Sequence, residues 1–396
     1  MTLDKVVQTL RPGIMETFAH LHRKPEISWK EKETAKFLQT RLESLGLQVL
    51  TFSDCTGVVG VWEPEESAQS SGPVDGKSML TVALRADMDA LWQYVDGVWK
   101  ANHSCGHDAH MTIVLSAVEL LKKAGYQPPG VLKVIFQPAE ETGEGARKMV
   151  EKGIVQDVDY LYGLHLRPIQ ELPDGKAAPA IYNGASLLVR GEVHGLSAHG
   201  ARPHLGVNAI EVASSLLQSL QGIHINPMVP HSVKMTSIRA GEPGSTNIIP
   251  DFASFTLDVR TQSNQVLDEL YEKIITIARH TGEMMGARII LEPEGRTAAA
   301  EVDEEAKTWM RQAIQDVIGE ANTAPDVITP GGEDFHFYTL EHPQIKATML
   351  GLGCDLAPGL HHPHMQFNRE ALLTGTMIMA QAVIHTFAGG VKRWNT

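Results

Sequence analysis

Cysteine is scarce in this sequence: Cys55, Cys105 and Cys354 are the three in 396 residues. So odd and sparse a set excludes a disulfide framework and points to a reducing compartment, so the expected location is the cytoplasm. Positive charge is also short. Lys and Arg number 34 against 47 Asp and Glu, the formal net charge is −13, and no basic stripe appears. A nucleic-acid partner is therefore not expected. No apolar run reaches the roughly 18 residues that a spanning helix needs, so no membrane partner is expected either. The opening MTLDKVVQTLRPG carries Asp4 early and lacks the apolar stretch of a signal peptide.

Several catalytic signatures are missing as well. There is no His-Glu-x-x-His helix and no Gly-x-Ser-x-Gly elbow. SSGPVDGKS looks like a phosphate loop but is one residue short and has Ser71 where glycine is required. TGEGARK lacks the third glycine of a dinucleotide fingerprint.

What is present is an ordinary globular composition, 43% hydrophobic and 20% charged, in a chain long enough for two domains. The segments from Lys5 and from Lys30 carry apolar residues at helical spacing; Ala35, Leu38, Leu42 and Leu45 share one face, and Gly46 is placed to end that helix. GVVGVW and MLTVALRAD read as strands, separated by the polar loop EPEESAQSSGPVDGKS. A helix follows with Met111, Val114, Leu115, Val118 and Leu121 on its apolar face. GVLKVIFQPAEE and YLYGLHL are further buried strands, and strands alternating with helices predict an α/β domain with a largely parallel sheet flanked by helices. Beyond PIQELPDGKAAPA the order becomes βαββαβ, the ferredoxin-like pattern, over residues 183–297. Residues 1–182 and 298–396 are expected to form one discontinuous domain into which 183–297 is inserted.

The densest chemistry lies in NHSCGHDAH, residues 102–110. Cys105 and His107 can turn toward one point on a loop just before the Met111 helix, where an α/β sheet binds ligands. A nucleophile pair, a metal thiolate and a merely hydrogen-bonded loop all remain open on that stretch. Carboxylates elsewhere favour metal. VIFQPAEET ends a hydrophobic strand in Glu140 and Glu141, one of which can ligate while its neighbour acts as general base. His165 sits at the end of the YLYGLHL run, His361, His362 and His364 fall in GLHHPH, and Asp87 and Asp89 close MLTVALRADMD. Carboxylates there can orient ligand histidines. Four strand ends thus offer metal-ligand chemistry.

This combination resembles the di-metal amidohydrolases of the aminoacylase and carboxypeptidase superfamily, in the branch that contains hippurate hydrolases, N-acyl-amino acid amidohydrolases and plant auxin-conjugate hydrolases. The likeness runs from HLHRKPEISWKEKETAKFL through LRADMDAL, SCGHDAHM, FQPAEETGEGARKMVEKG, GLHL, SAHGARPHLGVNAIEVA, TNIIPDFASFTLDVRT and GGEDFHFY to GLHHPHMQFN. The resemblance implies Cys105 as a bridging thiolate, His107, Glu141, His165 and His361 as metal ligands, and Glu140 as general base. His361 is selected over His362 because the related motif is Leu-His-x-Pro. Asp87 and Asp89 fall where supporting carboxylates are kept. His199 matches a histidine that reaches a partner subunit's site to stabilise the oxyanion, which implies a homodimer, with 183–297 as its dimerisation domain. Asn247 and Arg260 match positions that contact the substrate carbonyl or carboxylate, although ordinary sheet chemistry would also explain Arg260.

The implied reaction is hydrolysis of the amide of an N-acyl-amino acid with two divalent ions per subunit, zinc or manganese, or else cobalt or nickel. A dipeptidase or carboxypeptidase acting on small peptides is the alternative, and a non-catalytic binding protein on the same fold the remote one. The chain departs from the resemblance at Trp92, where proline is usual. Trp92, Tyr94 and Trp99 either shape the acyl pocket or pack under a loop, and packing is the expectation. His103 and His110 are expected in loop or supporting roles, and Asp108 as the cap of the helix that follows.

Overall fold

The computed structural model describes residues 2–64 and 79–394; the SSGPVDGKS stretch and most of the polar loop around it lie outside the described residues. The chain divides into two compact units. One comprises the described residues through Tyr182 with Glu301–Ile328 and Asp334 onward; the other comprises Asn183–Ala300 with Thr329–Glu333.

The sheet of the first unit has seven strands, in the order Gln48–Thr51, Val58–Trp62, Val131–Gln137, Thr81–Asp87, Tyr160–Pro168, Lys346–Leu356 and Ala177–Ala178. The central four run parallel and the strands toward both edges antiparallel. Thr81–Asp87 is buried along its whole length, as a parallel strand covered on both faces must be. From it the chain passes first to Val131–Gln137 on one side and later to Tyr160–Pro168 on the other. That reversal opens a crevice at the carboxyl ends of the strands, where ligands bind in such sheets. The α/β class and largely parallel sheet expected of this region are therefore present.

Leu38 and Leu42 are fully buried, with Ala35 and Leu45 packed beside the core, and Gly46 leaves that helix at φ +77°, a conformation that costs glycine nothing. The helix His107–Lys123 buries Met111, Val114, Leu115, Val118 and Leu121 as its spacing requires. It also buries Ile113 and Ala117, because the helices Leu3–His22 and Ala371–Trp394 pack on it from outside the sheet. The stretch Ala371–Gly389 is apolar enough by length and composition to cross a membrane, yet 67% of it is buried in the protein's own core.

Charge is buried in this sheet too. The Arg85 side chain is wholly buried and donates to Gln137 Oε1 at 2.9 Å, Asp87 Oδ2 at 2.8 Å and Asp334 Oδ1 at 2.8 Å. Asp334 also accepts from the Ala146 amide at 2.9 Å, which ties the helix Gly145–Glu151 to the same point. A guanidinium so deep persists only when anions meet it.

In the second unit the strands Ala185–His194, His231–Ala240, Phe252–Thr261 and Arg288–Thr297 form one antiparallel sheet, in the order second, third, first, fourth along the chain. Burial alternates along Ala185–His194, and Val189, Val193, Leu257 and Val259 pack with Val212, Leu216, Leu267 and Leu270 of two helices. Asn208 caps the first of these, Ala209–Leu220, and Ser263 the second, Asn264–Met285. A separate two-stranded ribbon joins Ala198–His199 to Ile248–Ile249.

Truncating Asp334 to Ala leaves Arg85 with one carboxylate fewer in a dry site. Denaturant unfolding is expected to show a loss of about 3–5 kcal/mol; unchanged stability would show that this network does not hold the sheet.

Candidate metal centre

Backbone conformation places each donor. Gly106, at φ +93°, turns the chain between Cys105 and His107, so that His107 opens the helix while Cys105 remains on the loop. Cys105 Sγ then lies 3.5 Å from Nε2 of His165. His107 and His165 each present one nitrogen to the crevice because the other is used. Nδ1 of His107 donates to the Asp89 carbonyl at 2.8 Å, and Nδ1 of His165 to the Leu166 carbonyl at 2.6 Å. A carbonyl only accepts, so each Nδ1 carries a hydrogen. His165 is the sixth residue of Tyr160–Pro168, inside the strand and not at its end.

Glu140 and Glu141 lie on a single 3-10 turn, Glu140–Thr142, entered through Ala139 in the left-handed region at φ 51°. Three consecutive amides hold that turn. Ala139 N–H donates to Glu31 Oε1 at 2.9 Å; those of Glu140 and Glu141 donate to Oδ1 and Oδ2 of Asp89, both at 3.1 Å. Glu31 is buried and also accepts from the Thr56 hydroxyl, and Asp89 from the Ser28 hydroxyl, each at 2.6 Å. Gly145 closes the turn against Pro138, whose carbonyl would collide with any Cβ there. His361, on the loop after Lys346–Leu356, is left-handed at φ 62°, and its Nε2 is 3.6 Å from Glu141 Oε2.

The donor atoms form two groups of three that share one sulfur: Cys105 with His107 and His165, and Cys105 with Glu141 and His361. Glu140 joins a third grouping with His107 and Glu141. Within each group the donor atoms lie within 4.8 Å of one another. His107 Nε2 and Glu141 Oε1 are buried and have no hydrogen-bond partner among the described residues, which is costly unless a cation or a proton serves them. A thiolate, imidazoles and a carboxylate in such groups fit divalent transition metals.

The electrostatics agree. Burial pushes the Cys105 thiol well above its usual range, and the Glu141 carboxylate adds to the effect. Burial raises the Glu141 carboxyl to about 7. Burial alone would lower His107, but Asp87 and the other anions around it hold it well above the ordinary imidazole range. Asp87 stays well below the carboxylate range despite its burial, because His107, His110 and Arg85 surround it.

His110 is no donor to this centre. Its Nδ1–H meets Asp87 Oδ1 at 2.8 Å, and its Nε2 accepts from the Leu166 amide at 3.0 Å. Gly106, not Asp108, is the N-cap residue; Asp108, inside the first turn, accepts the Ala109 amide on Oδ1 at 2.9 Å and pairs Oδ2 with Nδ1 of His22 at 2.6 Å. His103 is buried, and neither ring nitrogen has a partner among the described residues. Trp92, Tyr94 and Trp99 are 57%, 58% and 61% exposed, so they do not pack under a loop; a hairpin, Leu91–Val95 with Val98–Asn102, holds them out. The expected packing is absent because Gln93, not the aromatics, supplies the inward face.

In the second unit, His199 and Asn247 are brought together by the two-stranded ribbon, where the Gly200 amide donates to the Asn247 carbonyl at 2.7 Å. Both are exposed, and His199 Nδ1 accepts from the Ala201 amide at 3.1 Å. Arg260 is engaged by Asp258, with Nε donating at 3.0 Å and 3.1 Å. Sequence reasoning missed Glu31, Ser28, Gln93 and Asp334. The first two and the last lie in recognised motifs, PEISWKEKETA and GGEDFHFY, but nothing local shows what a side chain in them meets far along the chain.

Metal uptake at these residues must displace protons. Glu141 is protonated below about 7, so affinity for zinc or manganese is expected to fall as pH drops from 8 to 6, with proton release on binding. Calorimetric titration in buffers of different ionisation heat measures both, and equal affinity at the two pH values would remove Glu141 from the donor set.

The profile of the peptidase family M20/M25/M40 matches residues 83–385. A Synechocystis sp. protein named as a hydrolase is 30% identical over 404 residues, covering 96% of this chain and 98% of that protein. The N-acetyl-L-cysteine deacetylase of Bacillus subtilis is 29% identical over 397 residues, covering 95% and 88%. Among solved structures, the Bacillus subtilis YXEP protein, described as a dinuclear metal-binding peptidase of the M20 family, superposes with a TM-score of 0.78 at 24% identity, covering 96% of this chain and 99% of that one.

Proposed function

Since the chain belongs to the peptidase family M20/M25/M40 and is a metal-dependent hydrolase, we propose that it cleaves the amide bond joining an acyl group to an amino acid. The observation that carries this reading is the pair of three-donor groups meeting at Cys105, with Glu140 beside them. The N-acetyl-L-cysteine deacetylase relative supports the substrate class. Cys105, His107 and His165 would hold one divalent ion, and Cys105, Glu141 and His361 the other. Two such ions, zinc or manganese by donor type, supply Lewis acidity that polarises the scissile carbonyl and acidifies water.

The chain's own residues do the rest. Glu140 removes the proton of the attacking water and returns it to the leaving amine. Asp89, through the amides of Glu140 and Glu141, fixes the turn that brings both carboxylates to His107 Nε2, so that one can take the proton while the other ligates. The bond from His107 Nδ1 to the Asp89 carbonyl leaves Nε2 for the ion, and Asp87 supports the site by bracing His110, which in turn holds the Leu166 amide beside His165. His199 and Asn247 stabilise the oxyanion from a partner subunit. Their exposure in a single chain supports a homodimer, as does His231–Ala240, an edge strand with little burial. Arg260 meets the substrate carboxylate once released from Asp258.

Glu140→Gln is expected to retain both ions and lose about 10²–10⁴-fold in turnover of N-acetyl-amino acids. Near-normal rates would overturn the assignment. If His199 serves the partner, mixing inactive His199→Ala with inactive Glu140→Gln should restore about a quarter of wild-type activity, because half of the dimers then hold one intact site. No recovery would place His199 outside the reaction or within its own subunit's site.

A further inference from the structure

The hairpin that carries the exposed aromatics has a second, unlike face. Cross-strand pairing sets Tyr94 opposite Trp99 and Trp92 opposite Ala101, so the aromatic residues share one side, with the Tyr94 and Trp99 rings 5.8 Å apart. Alternation turns Gln93 and Asn102 to the other side. There the Gln93 amide is a clamp. Its Nε2 donates to the His361 carbonyl at 2.8 Å, while its Oε1 accepts from the Ser104 hydroxyl at 2.8 Å and from Asn102 Nδ2 at 3.0 Å. Only one orientation of the amide satisfies all three, since the His361 carbonyl can only accept and Asn102 Nδ2 can only donate. Asn102 Nδ2 also reaches the Pro363 carbonyl at 3.0 Å, and the His361 amide donates to the Ser104 carbonyl at 2.8 Å.

His361 needs this help. Its φ of 62° lies in the left-handed region, which is unfavourable for a residue with a Cβ. Its side chain is 53% exposed, so packing does not hold the ring. What fixes it is main-chain: its N–H on Ser104 and its C=O on Gln93. Ser104 precedes Cys105, so the clamp ties the His361 loop directly to the residue before the shared sulfur.

We propose that Gln93 is a positioning residue for His361, and that it sets the affinity of the Cys105–Glu141–His361 group for its ion. The proposal rests on the ligand reading above. Without the clamp, the backbone at 361 relaxes to a commoner conformation and the imidazole leaves the group. The group of Cys105, His107 and His165 has no such dependence, since its histidines are buried and braced by Asp89 and Leu166.

The test is Gln93→Glu, which keeps the size and the oxygen that accepts from Ser104 and Asn102 but sets a second oxygen against the His361 carbonyl. Zinc affinities of the full chain are measured by competition with a chromogenic chelator, alongside the visible spectrum of the cobalt-loaded protein. Expected are one ion held as in wild type, the other weakened about 10- to 100-fold, a change in the cobalt bands, and an unaltered circular dichroism spectrum. Ser104→Ala, which removes one bond from the same amide, should shift the same ion in the same direction by less; it serves as the test should Gln93→Glu fail to fold. Two ions bound by Gln93→Glu as tightly as by wild type, or both weakened equally, would overturn the proposal. A wild-type protein that binds no zinc or cobalt would instead overturn the ligand reading beneath it.

Discussion

Four carboxylates converge on the imidazole of His107. Asp87, Asp89, Glu140 and Glu141 each bring an oxygen within 3.4–3.9 Å of one of its nitrogens, and the ring itself is wholly buried. So much negative charge out of water demands positive charge at the same point, from a proton or from a metal. That demand explains the directions of the neighbouring acidities. His107 is held protonated well above its usual range, Glu141 rises to about 7, and Cys105 resists ionisation. Divalent ions in the two Cys105 groups would answer all three at once.

The scaffold confines this strain to one end of the sheet. Arg85 neutralises Asp87 and Asp334 from below, so Asp87 can spend its other oxygen on His110 without being a lone buried anion. Buried carboxylates of Glu31 and Asp89 fix the Glu140 turn through backbone amides, not through the side chains that must react. Three unusual backbone conformations, at Gly106, Ala139 and His361, aim the donors. Gly106 adopts its conformation without cost, whereas Ala139 and His361 are held by hydrogen bonds from segments distant in sequence, which is how a strained residue persists.

Much of this is legible in the sequence. Periodicity located the core face of the Met111 helix, and apolar runs located the central strands, because burial against a sheet imposes those repeats wherever it occurs. The donor residues declared themselves by type, as Cys, His and paired Glu following apolar runs. Where local reasoning slipped, a tertiary partner had intervened. Asp108 looks like a helix cap, but Gly106 holds the cap position; Asp108 serves the Ala109 amide with one oxygen, and His22, from the first helix, takes the other. Trp92, Tyr94 and Trp99 look like packing residues, but a two-stranded hairpin has two faces, and Gln93 occupies the inner one.

What the sequence by itself determined is therefore the α/β class, the family and the inventory of donors, since these follow from residue type, order and repeat along the chain. What only the tertiary structure decided is which donors share Cys105, which histidine nitrogen faces the crevice, and which remote side chains hold them there. Those depend on atoms from Ser28, Glu31, Gln93 and Asp334 meeting residues 61 to 268 positions away, and a hydrogen bond is set by distance and angle in space, not by separation along the chain.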